Sequence, residues 1–265
     1  MKLIIRKVSI LSLLLLLLIS CKDNDNGDDS VADFKAENRK ALGSSAADLL
    51  SDDIYNSLTV EFVYAEAFRP TQETIDNFTT FLSQRVNKPN GINFVETMIP
   101  APQGFPFTTS EIREIEDERR TRYTEDDNIA VFIFFSNGNS DNDTSTSVTL
   151  GTAYQNTSIV IYEKTVREIA GQQNINLSQL ESTTLHHEFG HLFSLVNIQE
   201  DDIHIDHEDA AHARHCVVEE CLMYFETRNT NKAEINRFMK ANKTAAIPQF
   251  DTELCLEDLR VKGGK

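Results

Sequence analysis

Two hydrophobic periods alternate along this chain, and the switches between them outline its elements. Leu58 to Phe68, "LTVEFVYAEAF", is β-rich with near-alternating apolar and polar residues, which predicts a strand. Pro70 and Thr71 end it and open "TQETIDNFTTFLSQRV", where Ile75, Phe78, Phe81, Leu82 and Val86 recur at the spacing of one helix face. "INFVETMI" (92–99) reads as a second strand and "TSEIREIEDERRTRY" (109–123) as a charged helix. Asn128–Phe135, "NIAVFIFF", is apolar almost throughout, as a central strand covered on both faces must be. "SVTLGTAY" and "SIVIY" predict two further strands around the turn residues Gln155-Asn156-Thr157. Upstream, "SSAADLLSDD" predicts a short helix with Ser44 or Ser45 as N-cap and Leu49-Leu50 as its apolar patch. This order predicts an α/β layer over a mixed sheet.

The next helix carries the chemistry. In "SQLESTTLHHEFGHLFSLVN", Ser178 with Glu181 three residues on predicts a capping box, and a helix from Leu180 through His191. At about 100° per residue, His187 and His191 fall about 40° apart on one face, so their imidazoles can converge on one metal ion. Glu188 sits beside them without aligning to bind, which suits a base acting on a metal-bound water. Asn197 stands one turn further on, where another His would complete the set, and an amide is a poor zinc ligand. The following residues offer His204, Asp206, His207, Asp209, His212 and His215 instead.

The first twenty residues read as a signal segment: Lys2, Arg6 and Lys7 precede an apolar run, Ile10 to Ile19, that is too short to span a bilayer comfortably. Leu18-Ile19-Ser20-Cys21 resembles a bacterial lipobox, which implies cleavage before Cys21 and a lipid on that residue. Lys22-Asp23 is similar to the surface-export signals of some Bacteroidota lipoproteins. Residues 21–43, acidic and Asn-rich, read as a flexible tether, leaving 44–265 as the folded domain. Removing Lys2, Arg6 and Lys7 from 25 basic residues leaves 22 against 42 acids, a net −20, which disfavours nucleic acid and anionic lipid surfaces. Beyond Cys21 only Cys216, Cys221 and Cys255 remain, an odd number that predicts one disulfide and one thiol, with the pairing open.

"HCVVEECLMY" (215–224) changes the weight of the helix motif. A His-Cys pair, four residues, another Cys, one residue and a Met resembles the archaemetzincin pattern, with residues 198–214 as an insertion after the helix. The resemblance implies a metzincin-like zincin fold, with a mixed twisted sheet, an active-site helix, a Met-turn at Met223 and a small C-terminal subdomain. It also implies Zn2+ held by His187, His191 and His215, with His207 or Asp209 next in rank for the third place. Ser194 stands where metzincins carry a turning glycine, and is accommodated if the helix runs on for another turn. The family's second zinc site needs four cysteines, so it is expected to be absent here, with Cys216–Cys221 a candidate disulfide. Tyr224 is read as packing. "SVTLGTAYQNTSIVIY" supplies the edge strand of a cleft, with Gly151 and Ala153 near it.

The whole chain resembles membrane metalloprotease lipoproteins of Bacteroidota. The expectation is therefore a zinc metallopeptidase with Glu188 as catalytic base, a protein or peptide substrate, no nucleic acid, and a monomeric state. A lipid at Cys21 would hold it in the cell envelope, with the outer membrane ranked ahead of the inner and the choice between them open. The rival is a non-catalytic, metal-stabilised surface-binding lipoprotein.

Overall fold

The computed structural model describes residues 35–224, 229–230, 235, 239 and 247–265. The signal segment and Cys21 lie outside the described residues. The elements in chain order are α1 (Ala46–Leu50), β1 (Ser57–Ala65), α2 (Gln72–Ser83), β2 (Ile92–Ile99), α3 (Thr109–Arg119), β3 (Asn128–Phe135), β4 (Val148–Thr149), β5 (Gly151–Gln155), β6 (Ser158–Ile161), α4 (Glu163–Gln173), α5 (Leu177–Leu192), β7 (Asn229–Thr230) and α6 (Cys255–Val261).

Five strands form one mixed sheet in the order β2-β1-β3-β6-β5. β1 pairs parallel with β2 and β3, and β3 parallel with β6. β5 closes the edge antiparallel to β6. Period two decides which residues face which layer. Leu58, Val60 and Phe62 of β1, with Ile129, Val131, Ile133 and Phe135 of β3, enter one core with α2, α4 and α5. Val63, Phe132 and Phe134 point the other way, against Ile112 of α3 and Phe107. That double cover is why β3 is apolar throughout, and why charge on the sheet needs partners. Glu61 of β1, fully buried, accepts from the Thr121 and Arg122 amides and the Thr121 hydroxyl.

The α2 face is fixed by aromatics. Phe78 packs edge-on to Phe189 of α5 at 5.2 Å between centroids and tilted on Phe62 at 5.9 Å, so α2 seats the chemistry-bearing helix on the sheet. Thr71 caps α2, accepting from the Thr74 amide, as its place after Pro70 suggests.

Several boundaries depart from expectation; α3 ends at Arg119, and "SVTLGTAY" divides into β4 and β5, which pair in different sheets. β1 stops at Ala65, because Ala67 adopts φ 71° and the chain turns with the Phe68 amide on the Ala65 carbonyl. α5 begins at Leu177 with Asn176 as cap, its side chain accepting from the Gln179 amide; Ser178 and Glu181 form no capping box. Glu181 is instead buried and accepts from the Thr71 amide and the hydroxyls of Thr71 and Thr74, stitching α5 to α2. The fold also takes in part of the acidic stretch before residue 44: Asn38 is fully buried, donating to Thr124, Thr157 and the Ala130 carbonyl. One amide with a complete set of partners inserts there in spite of its polar neighbours.

Candidate metal centres

α5 places His187, Glu188 and His191 in the interior, one turn apart, with none more than 1% exposed. The chain leaves that helix by a left-handed bend at Ser194 (φ 58°), not by a further helical turn. A serine there is strained, and it is held: its carbonyl accepts from Lys262 Nζ at 2.7 Å and its hydroxyl donates to Asp201 at 2.8 Å. The bend lets the chain run out and return, so that His215 comes back over the helix.

His187, His191 and His215 then form a buried triangle whose nearest ring nitrogens all lie within 4.8 Å of one another. Their ring centroids are 4.8, 5.3 and 5.3 Å apart. His187 Nδ1 faces the Leu222 carbonyl at 2.8 Å and His215 Nδ1 the Ala213 carbonyl at 2.9 Å. A carbonyl can only accept, so each of these two rings carries a proton on Nδ1, which in the neutral ring leaves the Nε2 lone pair to bind a metal. A set of three imidazoles suits zinc, with a fourth position left to solvent or substrate.

Glu188 lies against the sheet edge, its Oε2 accepting from the Ala153 amide at 2.8 Å. Gly151 makes this approach possible: a Cβ there would lie 2.7 Å from Glu188 Cγ and 3.0 Å from Thr184 Cγ2. Beneath the triangle, a Cβ on Gly190 would lie 2.3 Å from Met223 Sδ, so the Met side chain fills the space this glycine leaves.

The other histidines and carboxylates of residues 197–214 are engaged elsewhere. Asn197 donates to the Ile205 carbonyl and Glu208, His204 contacts Asp258 at 3.0 Å, and His212 pairs with Asp209 at 2.7 Å. Asp206 is exposed. His186, adjacent to the motif, is stacked on Phe81 at 4.2 Å, and burial pushes its pKa down to about 3, so it is a neutral core ring.

His207 enters a second cluster, apart from the triangle. It is buried with Cys216, Cys221 and Cys255, which are all free thiols rather than one disulfide and one thiol. His207 Nδ1 lies 3.5 Å from Cys216 Sγ and 3.8 Å from Cys255 Sγ, and Cys221 Sγ is 3.6 Å from Cys255 Sγ. Hydrogen bonds from Cys221 and Cys255 hold the Cys216 thiol far below its ordinary value. Burial opposes protonation of His207, but its bonds to Asp202 and Cys216 carry it up to about 10.

No protein-family model matches the chain, and no curated protein matches it. Among solved structures it is similar to an archaemetzincin from Methanopyrus kandleri, with TM-score 0.50 and 16% identity over 78% of this chain and 96% of that one. A zinc-dependent peptidase from Methanocorpusculum labreanum aligns at TM-score 0.45 with 12% identity, over 76% of this chain and 99% of that one. An archaemetzincin from Archaeoglobus fulgidus aligns at TM-score 0.43 with 12% identity and the same coverage. The likeness to the Methanopyrus protein is one of fold: a mixed α/β sheet with the motif helix laid across it.

Proposed function

We propose that this chain is a zinc-dependent peptidase, with zinc held by His187, His191 and His215 and with Glu188 as its base. The observation that carries the reading is the buried triangle of inward-turned imidazoles with a carboxylate fixed beside it at the edge of the sheet. Zinc bound there would polarise a carbonyl and acidify water. The protein's own part is proton handling: Glu188 takes a proton from the attacking water and returns it to the leaving amine, so that OH ends on the carbonyl carbon and H on nitrogen.

β5 supplies the substrate seat. The Tyr162 amide donates inward to the Leu150 carbonyl and Thr152 pairs with Val160. Gly151 and Ala153, alternating with these, therefore aim their main-chain groups at the outer edge; Glu188 takes the Ala153 amide, which leaves the Gly151 main chain as the place where an extended peptide can add as a strand. Cys21 as a lipid anchor, and residence in the cell envelope as a monomer, belong to the same proposal and rest on the sequence alone. No helix among the described residues is long and apolar enough to cross a membrane.

The test is Glu188→Gln. The variant is expected to bind zinc as the wild type does and to lose peptide hydrolysis, measured on a peptide library with and without chelator. Turnover retained by the variant would overturn the assignment.

A further inference from the structure

The buried thiol cluster has no part in the proposed reaction, yet it holds the most concentrated metal-binding chemistry outside the triangle. We propose that it is a second, structural metal site of three thiolates and one imidazole, in which the 198–214 segment supplies the fourth ligand, His207. The four-cysteine site expected to be absent is thus replaced by a different donor set, with a residue of the insertion taking the place of a cysteine.

Three independent features point to a metal rather than a disulfide or an inert core. The donors converge, since His207, Cys216 and Cys255 each offer an atom within 4.8 Å of the others and Cys221 adjoins Cys255. The sulfurs are placed as acceptors: Cys221 Sγ accepts from the Met223 amide at 3.4 Å and the Asp251 amide at 3.3 Å, and Cys216 Sγ from the Val218 amide at 3.5 Å. Main-chain amides aimed at sulfur stabilise a thiolate. The imidazole is backed by a carboxylate, with Nδ1 toward the sulfurs of Cys216 and Cys255 and Nε2 in charge contact with Asp258 Oδ2 at 3.2 Å. Soft thiolates with one imidazole select zinc among the common divalent ions.

The site has a consequence for the triangle, and this part rests on the reading of His215 as zinc ligand. Cys216 follows His215 directly, and Cys221 precedes Leu222 and Met223, which meet His187 and Gly190. The inserted segment is sewn to the same loop by the Val217 amide on the His207 carbonyl and the Asp209 amide on the His215 carbonyl. A metal gripping both Cys216 and Cys221 fixes the two ends of the loop that carries the third ligand.

Zinc content of the dialysed full chain tests this, together with the near-ultraviolet thiolate-to-metal charge-transfer band of the cobalt-loaded form. Wild type is expected to hold two metals with the band present, His207→Ala one metal with the band lost, and His207→Cys two metals with the band kept. In His207→Ala the remaining zinc should also yield to a chelator at least tenfold more readily. The proposal is overturned by a wild type with one metal and a mapped Cys221–Cys255 disulfide, or by His207→Ala retaining both metals and the band. If His207→Ala does not fold, a folded His207→Cys with a single metal overturns it equally. Unchanged chelator resistance in His207→Ala would remove the coupling alone. A wild type with two metals that cleaves no peptide would sink the proposed reaction and leave this site standing.

Discussion

Gly151→Ala isolates the claim that β5 positions the base. The added Cβ would sit 2.7 Å from Glu188 Cγ and 3.1 Å from its Oε1, where unstrained carbon contacts need about 3.5–4.0 Å. Something must give by about 1 Å. The strand is held by its pairing to β6, and the Thr184 methyl at 3.0 Å blocks a slide along the helix, so Glu188 is what moves. A displacement of that size at a reacting group costs about a hundredfold in rate, or about 2.7 kcal/mol of transition-state stabilisation. The assay is kcat and KM on one cleavable peptide, with zinc content measured on the same samples. Zinc should stay bound and kcat should carry the loss. A Gly151→Ala protein that holds zinc and turns over at the wild-type rate would refute the positioning of Glu188 by this strand.

Two further outcomes follow from buried charge. Burial, and then the carboxylate of Glu181, raise the Glu163 pKa well above the ordinary carboxylate range, against the opposing Arg167 at 2.6 Å. The folded state therefore keeps a proton that the unfolded chain releases; this contribution is complete below the unfolded pKa and is lost as pH rises through the folded one. Glu163→Gln should flatten the fall of Tm with rising pH above the carboxylate range, and parallel Tm curves for the two proteins would contradict the raised Glu163 pKa. Arg120 and Glu116 form a buried pair at 2.6 Å, with Tyr154 and Ser158 also on the carboxylate. Arg120→Met leaves that carboxylate buried and uncompensated, and should cost about 3–5 kcal/mol in denaturant unfolding; a loss below about 1 kcal/mol would show that the pair contributes little.

The sequence made legible those features that depend on period or on short-range spacing. β3 is bounded as its apolar run predicts, because a strand buried on both faces gives an unpartnered polar side chain no water to reach. His187 and His191 had to share a face once the helix was granted. What escaped depends on partners distant in the chain. Glu181 matches a capping-box position, but the hydroxyls of Thr71 and Thr74, over a hundred residues upstream, claim it. Ser194 takes the left-handed bend without glycine because Lys262 from the C-terminal helix holds its carbonyl. His207 is a candidate ligand for the triangle in the sequence, and local spacing does not show that its ring turns to the sulfurs of Cys216 and Cys255 instead, since Cys255 arrives from the far end of the chain. Asn38 gave no local signal, because one buried side chain leaves no periodic trace.

The most direct test of the central claim is anomalous diffraction at the zinc edge from crystals of the zinc-loaded protein. The account predicts a peak bonded to the Nε2 atoms of His187, His191 and His215, with solvent alone as the remaining ligand and Glu188 beside that solvent. At the His187–His191 site, a peak lacking His215, or one closed by a fourth protein side chain, would contradict it; a second peak at the thiol cluster would not.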